Sequence, residues 1–319
     1  MLFRSMTMLL VFEALERGDI NIDDQVSVSE LAASMGGSQV WLKVGETMTV
    51  DEMLKCVAVV SANDCSVALA EHVAGSNDAF VERMNQRAQQ LGMADTTFKN
   101  CNGLDQDGHV TSAMDIAIMS RELLKHPSVK NYTTIWMDTI RNGEFGLSNT
   151  NKLLKTYNGA TGLKTGSTSI AKFCLSATAQ REDMELIATI MAADTSAMRF
   201  DSAKQLLDYG FGNYALVSVK SEEEIVVPVK RGVKNQVSAS VQGTGRVLVE
   251  KADKGDIKTE FNLAEDVQAP VVQGQRLGEM SIYSGDKLME TLPIIASEDV
   301  ERISIGSIFD KLFSNLAMK

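Results

Sequence analysis

The chain has 319 residues, 44% of them hydrophobic and 23% charged, the balance of a globular protein with room for two domains. A formal charge of −11 and the lack of any Lys/Arg cluster argue against nucleic acid as a partner, and no run of 18 apolar residues is present to span a bilayer. Four cysteines without a C-x-x-C pair and three histidines offer no metal centre and no redox pair, so no metal or cofactor is expected and the thiols read as buried and free.

Residues 6–15 form an apolar run that Glu13, Glu16 and Arg17 continue at helical spacing up to Gly18. No small-residue cleavage site follows it, so it reads as a buried helix rather than a signal peptide. Residues 24–29 alternate like a short strand, and 34–38 are a loop. Thr49 and Glu52 have capping-box spacing and open a helix to about Val60. Further helices are predicted over 63–73 (ending at Gly75), from Ser76 to Gly92, and from Ser112 to Pro127. His72 and His126 fall in this helical part and read as structural. Asn142-Gly143 marks a hairpin.

Strands are predicted over 173–180 and 186–193, with a turn at 181–183, followed by a helix over 196–209 that closes at Gly210. Helices first, then antiparallel strands with a last helix packed back on them, is an α+β pattern. After about Gly212 valine becomes frequent and cysteine and tryptophan disappear. Strands over 217–219, 224–229, 237–241, 247–250, 257–263 and 271–275 describe a small all-β domain. The chain thus divides into residues 1–213, 214–296 and 297–319. In the last part Ile303, Ile305, Ile308, Phe309, Leu312, Phe313 and Leu316 recur at helical spacing. That helix is amphipathic and too short to span, so it either docks on its own domain or lies in a membrane interface.

Two short motifs carry the chemistry. Lys164-Thr165-Gly166 stands in a Gly-rich stretch that leads into the 173–180 strand. On a strand Lys164 and Gly166 share one face; the glycine leaves it bare for a ligand backbone, and the lysine sets a cation beside it for a carboxylate. Ser61-Ala62-Asn63 lies in the join between two helices. A hydroxyl there can relay a proton and an amide can orient a substrate. Taken singly, each has a plainer reading: a loop lysine, and a helix break with its cap.

Together the motifs, about a hundred residues apart with helices between and strands after, resemble the penicilloyl-serine enzymes. Ser61 to Asp64, Gly103-Leu104-Asp105, Gly108-His109, residues 159–168, Arg199 and residues 206–211 resemble the low-molecular-mass D-alanyl-D-alanine carboxypeptidases, essentially end to end. The resemblance implies a β-lactamase/transpeptidase-like fold and a serine peptidase of peptidoglycan that removes the terminal D-alanine of stem pentapeptides through an acyl-serine. It implies β-lactams as inhibitors and the extracytoplasmic face of the cell membrane as location, with the terminal helix as anchor. By the same resemblance Ser61 assists proton transfer and Asn63 orients the substrate amide. Lys164, Thr165 and Gly166 receive the substrate carboxylate, with Arg199 in support.

The family's nucleophile motif, S-x-x-K, opens the buried helix, and here the match fails. A gapless register puts Met1 in place of the serine and Arg4 in place of the lysine; a shifted one makes Ser5 the serine and Met8 the lysine but needs a deletion in the helix. The gapless register is preferred because it keeps the helix length. Methionine is no nucleophile and arginine no base. The expectation is therefore an N-terminally incomplete member of the family that lacks its first strands. The alternatives are a catalytically silent peptidoglycan-binding protein and a β-lactamase, the last disfavoured by the extra β domain.

Overall fold

The computed structural model describes residues 2–219, 224–304 and 306. They divide into two compact units, Met1–Phe211 and Gly212–Lys319.

The first unit is built on helix α1 (Arg4–Arg17), whose residues from Arg4 to Phe12 are all buried. A helix apolar on every side has to run through the middle of a core. Gly18, left-handed at φ 74°, ends it. Around it pack α2 (Val50–Val59), α3 (Asn63–Ala74), α4 (Asn77–Gln90) and α5 (Ala113–Leu123). Their starts are fixed by local chemistry. The Thr49–Glu52 capping box is complete, and the Ser76 and Ser112 hydroxyls accept from Ala79 N and Asp115 N. The 142–143 hairpin forms between Met137–Ile140 and Phe145–Ser148.

Three antiparallel strands follow: β1 (Ala160–Thr168), β2 (Lys172–Arg181) and β3 (Met184–Ala193), in the order β1-β2-β3. Among the described residues neither outer strand has a further strand on its free edge. Helix α6 (Ser196–Asn213) covers the sheet and forms a second core with it through Leu175, Ala177, Phe200 and Leu207. The helix does not stop at Gly210. A Cβ at that position would meet Leu186 Cδ1 at 2.5 Å, so the glycine lets helix and sheet approach rather than ending the helix.

The second unit is all β. Strands β4 (Tyr214–Ser218), β5 (Ile225–Lys230), β6 (Gln236–Val241), β7 (Arg246–Glu250), β8 (Ile257–Leu263), β9 (Val267–Gln268), β10 (Arg276–Ser284) and β11 (Lys287–Ala296) form a pair β7-β4 and a sheet ordered β8-β10-β11-β6-β5-β9. The strand expected over 271–275 is only an isolated bridge, Val271 to Val300. The two long strands after it went unread in the sequence. Pairing continues past residue 296, where Arg302 bridges Gly232. Among the described residues no helix is long and apolar enough to cross a membrane. Most of the amphipathic stretch, Ile305 and residues 307–319, lies outside the described residues.

Candidate active site

Ser61 occupies the three-residue break between α2 and α3. The backbone turns there at φ 61° for Ser61, and Asn63 then starts α3. A left-handed serine is uncommon, and here the turn aims its hydroxyl at the sheet. Lys164, in the middle of β1, donates from Nζ to Ser61 Oγ and to the Thr165 carbonyl at 3.2 Å. A contact between side chains 103 positions apart brings the two motifs together.

Arg4, at the first turn of α1, donates from Nη1 to Asn63 Oδ1 and to the Asn102 carbonyl. The position that the gapless register assigns to the S-x-x-K lysine therefore does touch Asn63. Ser5, the serine of the shifted register, is fully buried with its hydroxyl unpartnered. Asn63 is held from the other side: Nδ2 donates to Gly36 O at 2.7 Å and its backbone N–H to Ser38 O at 2.7 Å.

Thr165 is not alone on its face of the strand, since its hydroxyl shares a 2.5 Å hydrogen bond with Thr150. Arg199 lies behind the motif. Nη1 donates to the carbonyls of Gly166 at 3.3 Å and Cys174 at 3.2 Å, while Nη2 reaches Ser196 Oγ at 3.2 Å. Its guanidinium thus ties β1 and β2 to α6 and braces the Lys164-Thr165-Gly166 backbone. Three supports were missed in the sequence: Asp64, Asn102 and Thr150. Asp64 Oδ2 accepts from Val40 N at 3.0 Å and Leu42 N at 3.2 Å, and Oδ1 from Cys65 N at 2.9 Å. Its place directly after Asn63, and that of Asn102 directly before Gly103-Leu104-Asp105, were the available signals.

The site is closed. Ser61 is 5% exposed and Lys164 1%, and chain open to solvent begins at Ser167. Burial drives the Lys164 pKa well below the ordinary lysine value, and the guanidinium groups of Arg4 and Arg199 push it the same way. Burial also lowers Arg4 to about 10, which leaves it protonated at neutral pH. A neutral amine in contact with a serine hydroxyl can take its proton; the same amine, once protonated, can hold a carboxylate.

Residues 2–195 match the profile of the peptidase S11 family, D-alanyl-D-alanine carboxypeptidase, and residues 214–302 that of the penicillin-binding protein 5 C-terminal domain. D-alanyl-D-alanine carboxypeptidase DacF of Bacillus subtilis is 41% identical over 303 residues, covering 93% of this chain and 78% of the relative. DacC of Escherichia coli is 31% identical and covers the whole of this chain and 81% of that protein. Penicillin-binding protein 5 from Haemophilus influenzae superposes with a TM-score of 0.80 at 31% identity, over 94% of this chain and 90% of that one. Penicillin-binding protein D2 from Listeria monocytogenes, solved in a cefotaxime-bound form, matches at 32% identity with a TM-score of 0.60, over 66% of this chain and 85% of its own. The chain belongs to the D-alanyl-D-alanine carboxypeptidase family of serine peptidases, peptidase S11.

Proposed function

We propose that the Ser61–Asn63–Lys164 constellation is the stem-peptide site of a serine-type D-alanyl-D-alanine carboxypeptidase of cell-wall peptidoglycan. The observation that carries this reading is the contact of Lys164 Nζ with Ser61 Oγ, with Asn63, two residues further on, held by Arg4. The terminal D-alanine carboxylate enters from the open Ser167 end and pairs with Lys164 and Thr165. Its arrival favours the charged lysine, so binding takes up a proton at pH values where the free amine is neutral. Asn63 orients the scissile amide and Ser61 passes a proton to the leaving amine. Arg199 acts through the Gly166 carbonyl, holding the strand in place.

Acylation needs a serine beside a base, and in the gapless register Met1 and Arg4 fill those positions. The buried Arg4 guanidinium, bonded to Asn63, favours a second reading for these 319 residues: the site binds the stem peptide or a β-lactam without forming an acyl-enzyme. Fluorescent penicillin separates the two. A covalent label on the 319-residue chain, lost in Ser61→Ala, means that it carries its own nucleophile. Reversible binding that is lost in Lys164→Met, with no label surviving denaturation, supports the silent form. Absence of either kind of binding overturns the proposal.

We place the protein at the extracytoplasmic face of the cell membrane, with the amphipathic C-terminal segment as its anchor to the membrane surface. Vesicle flotation with and without residues 302–319 tests this, and equal binding by the two forms removes the anchor.

A further inference from the structure

Trp41 is held in an unusual way. It has φ 55°, a left-handed conformation that is an outlier for so bulky a side chain. Its neighbours Val40 and Leu42 are buried, yet Trp41 itself is 63% exposed. Both sides of the backbone are clamped. The Asp64 carboxylate accepts from the N–H groups of Val40 and Leu42, and the Arg141 guanidinium donates to the carbonyls of Val40 at 2.9 Å and Trp41 at 3.4 Å. Strain of this kind persists only where surrounding bonds over-determine it, and it gathers at functional sites. The clamp presents an indole to solvent on a rigid mount.

The surroundings suit a ligand. The indole meets Phe145 edge-on, with ring centroids 5.8 Å apart and planes at 64°. Trp41, Val44, Phe145, Lys43, Glu46 and Arg141 line an open cavity of about 660 Å³. Arg141 Nε and Glu46 Oε1 pair at 2.8 Å and Lys43 adds a further cation, so the polar rim offers both donors and acceptors with one positive charge in excess. An aromatic face attracts polarised C–H groups, and a rim of mixed donors and acceptors suits hydroxyl and acetamido groups. A pyranose ring has both kinds of surface.

We propose that Trp41 and Phe145 form a saccharide subsite that takes an N-acetylhexosamine ring of the glycan strand. The assignment to that glycan rests on the stem-peptide reading above. Asp64 links the two sites: it fixes the Trp41 loop and directly follows Asn63 in the chain, so glycan and stem peptide are gripped from one support.

The test uses the 319-residue protein and a β-1,4-linked N-acetylglucosamine tetramer that carries no peptide. Titration is followed by tryptophan fluorescence and by the indole N–H resonances. Trp136, whose ring is covered by the Lys155 ammonium at 4.5 Å, is the internal control. The tetramer is expected to shift Trp41 and not Trp136. Trp41→Ala should weaken binding about tenfold or more, and Trp41→Tyr should retain most of it. Trp41→Gly separates function from structure: glycine relieves the left-handed backbone, so thermal stability should hold or rise while saccharide binding is lost. No shift at Trp41, or undiminished binding by Trp41→Gly, overturns the proposal. So does a sugar-free stem peptide that alone perturbs Trp41, since it assigns the surface to peptide. Lys164→Met should leave tetramer binding unchanged. Tetramer binding by a protein that ignores stem peptides and penicillin would therefore sink the carboxypeptidase reading but keep the subsite, and the reverse pattern would do the opposite.

Discussion

The two units bury different things. In the unit that ends at Phe211 the interior holds Arg4, Asn63, Asp64, Lys164 and Arg199 beside its apolar side chains. In the unit that starts at Gly212 every buried side chain among the described residues is apolar, from Val227 and Val237 to Ile294 and Val300. Burying a charge costs stability unless bonds compensate it, so a polar interior is kept for what it does. The β unit is plain packing. The first unit accepts a less favourable core to hold a site, and its polar groups divide into those that brace the backbone and those left available for chemistry.

That division can be tested. Asp64 is a brace with three backbone N–H groups on one carboxylate, so Asp64→Ala should cost about 4 kcal/mol in urea denaturation by leaving those donors buried and unpaired. A cost under 1 kcal/mol would remove Asp64 from the braces. In the β unit Ile294→Ala should cost about 3 kcal/mol through cavity formation alone, with ligand binding near Lys164 unchanged. Loss of binding in that variant would end the separation between packing and site.

Lys164 is the opposite case, because its charged form is penalised by burial. Lys164→Met should raise stability by about 1 kcal/mol at neutral pH while weakening recognition of the carboxylate on the order of 100-fold. The sign with pH follows from its lowered pKa. The unfolded lysine binds its proton more readily, so wild-type stability rises with pH up to the ordinary lysine value, near 10.4, and the advantage of the variant shrinks over the same range. An advantage that grows with pH would contradict the assignment.

The smallest effect belongs to His109, which packs 4.0 Å from the Phe3 ring and meets Phe98 edge-on. Burial pulls its pKa down to about 4, so the fold holds it neutral. Its contribution is fully present above about pH 6.5 and is lost as pH falls toward 4. His109→Phe should flatten the stability profile within that window; an unchanged slope would show that other groups set it.

Legibility in the sequence followed the range of the interactions. The caps at Thr49, Ser76 and Ser112 and the stop at Gly18 are decided within a few residues, and each stood where it was read. Gly210 misled because its role is tertiary: the same residue type that ends α1 lets α6 run on against Leu186. Strands β10 and β11 were missed because a bulge between Arg276 and Gly278 breaks the alternation, whereas Val271-Val272 looked like a strand and makes one bridge. Ser61, Asn63 and Lys164 were found by resemblance of motif, since nothing local requires residues 103 apart to meet. The clamp on Trp41 was invisible for the same reason: its parts come from Asp64 and Arg141, far away in the chain.

The most direct test of the site is isothermal titration of a peptide ending in D-alanyl-D-alanine into the 319-residue protein, in buffers of different ionisation enthalpy. Binding should be coupled to uptake of a proton and weakened on the order of 100-fold in Lys164→Met. Equal affinity in wild type and Lys164→Met, or binding with no proton taken up at any pH from neutral to 10, would contradict the proposal.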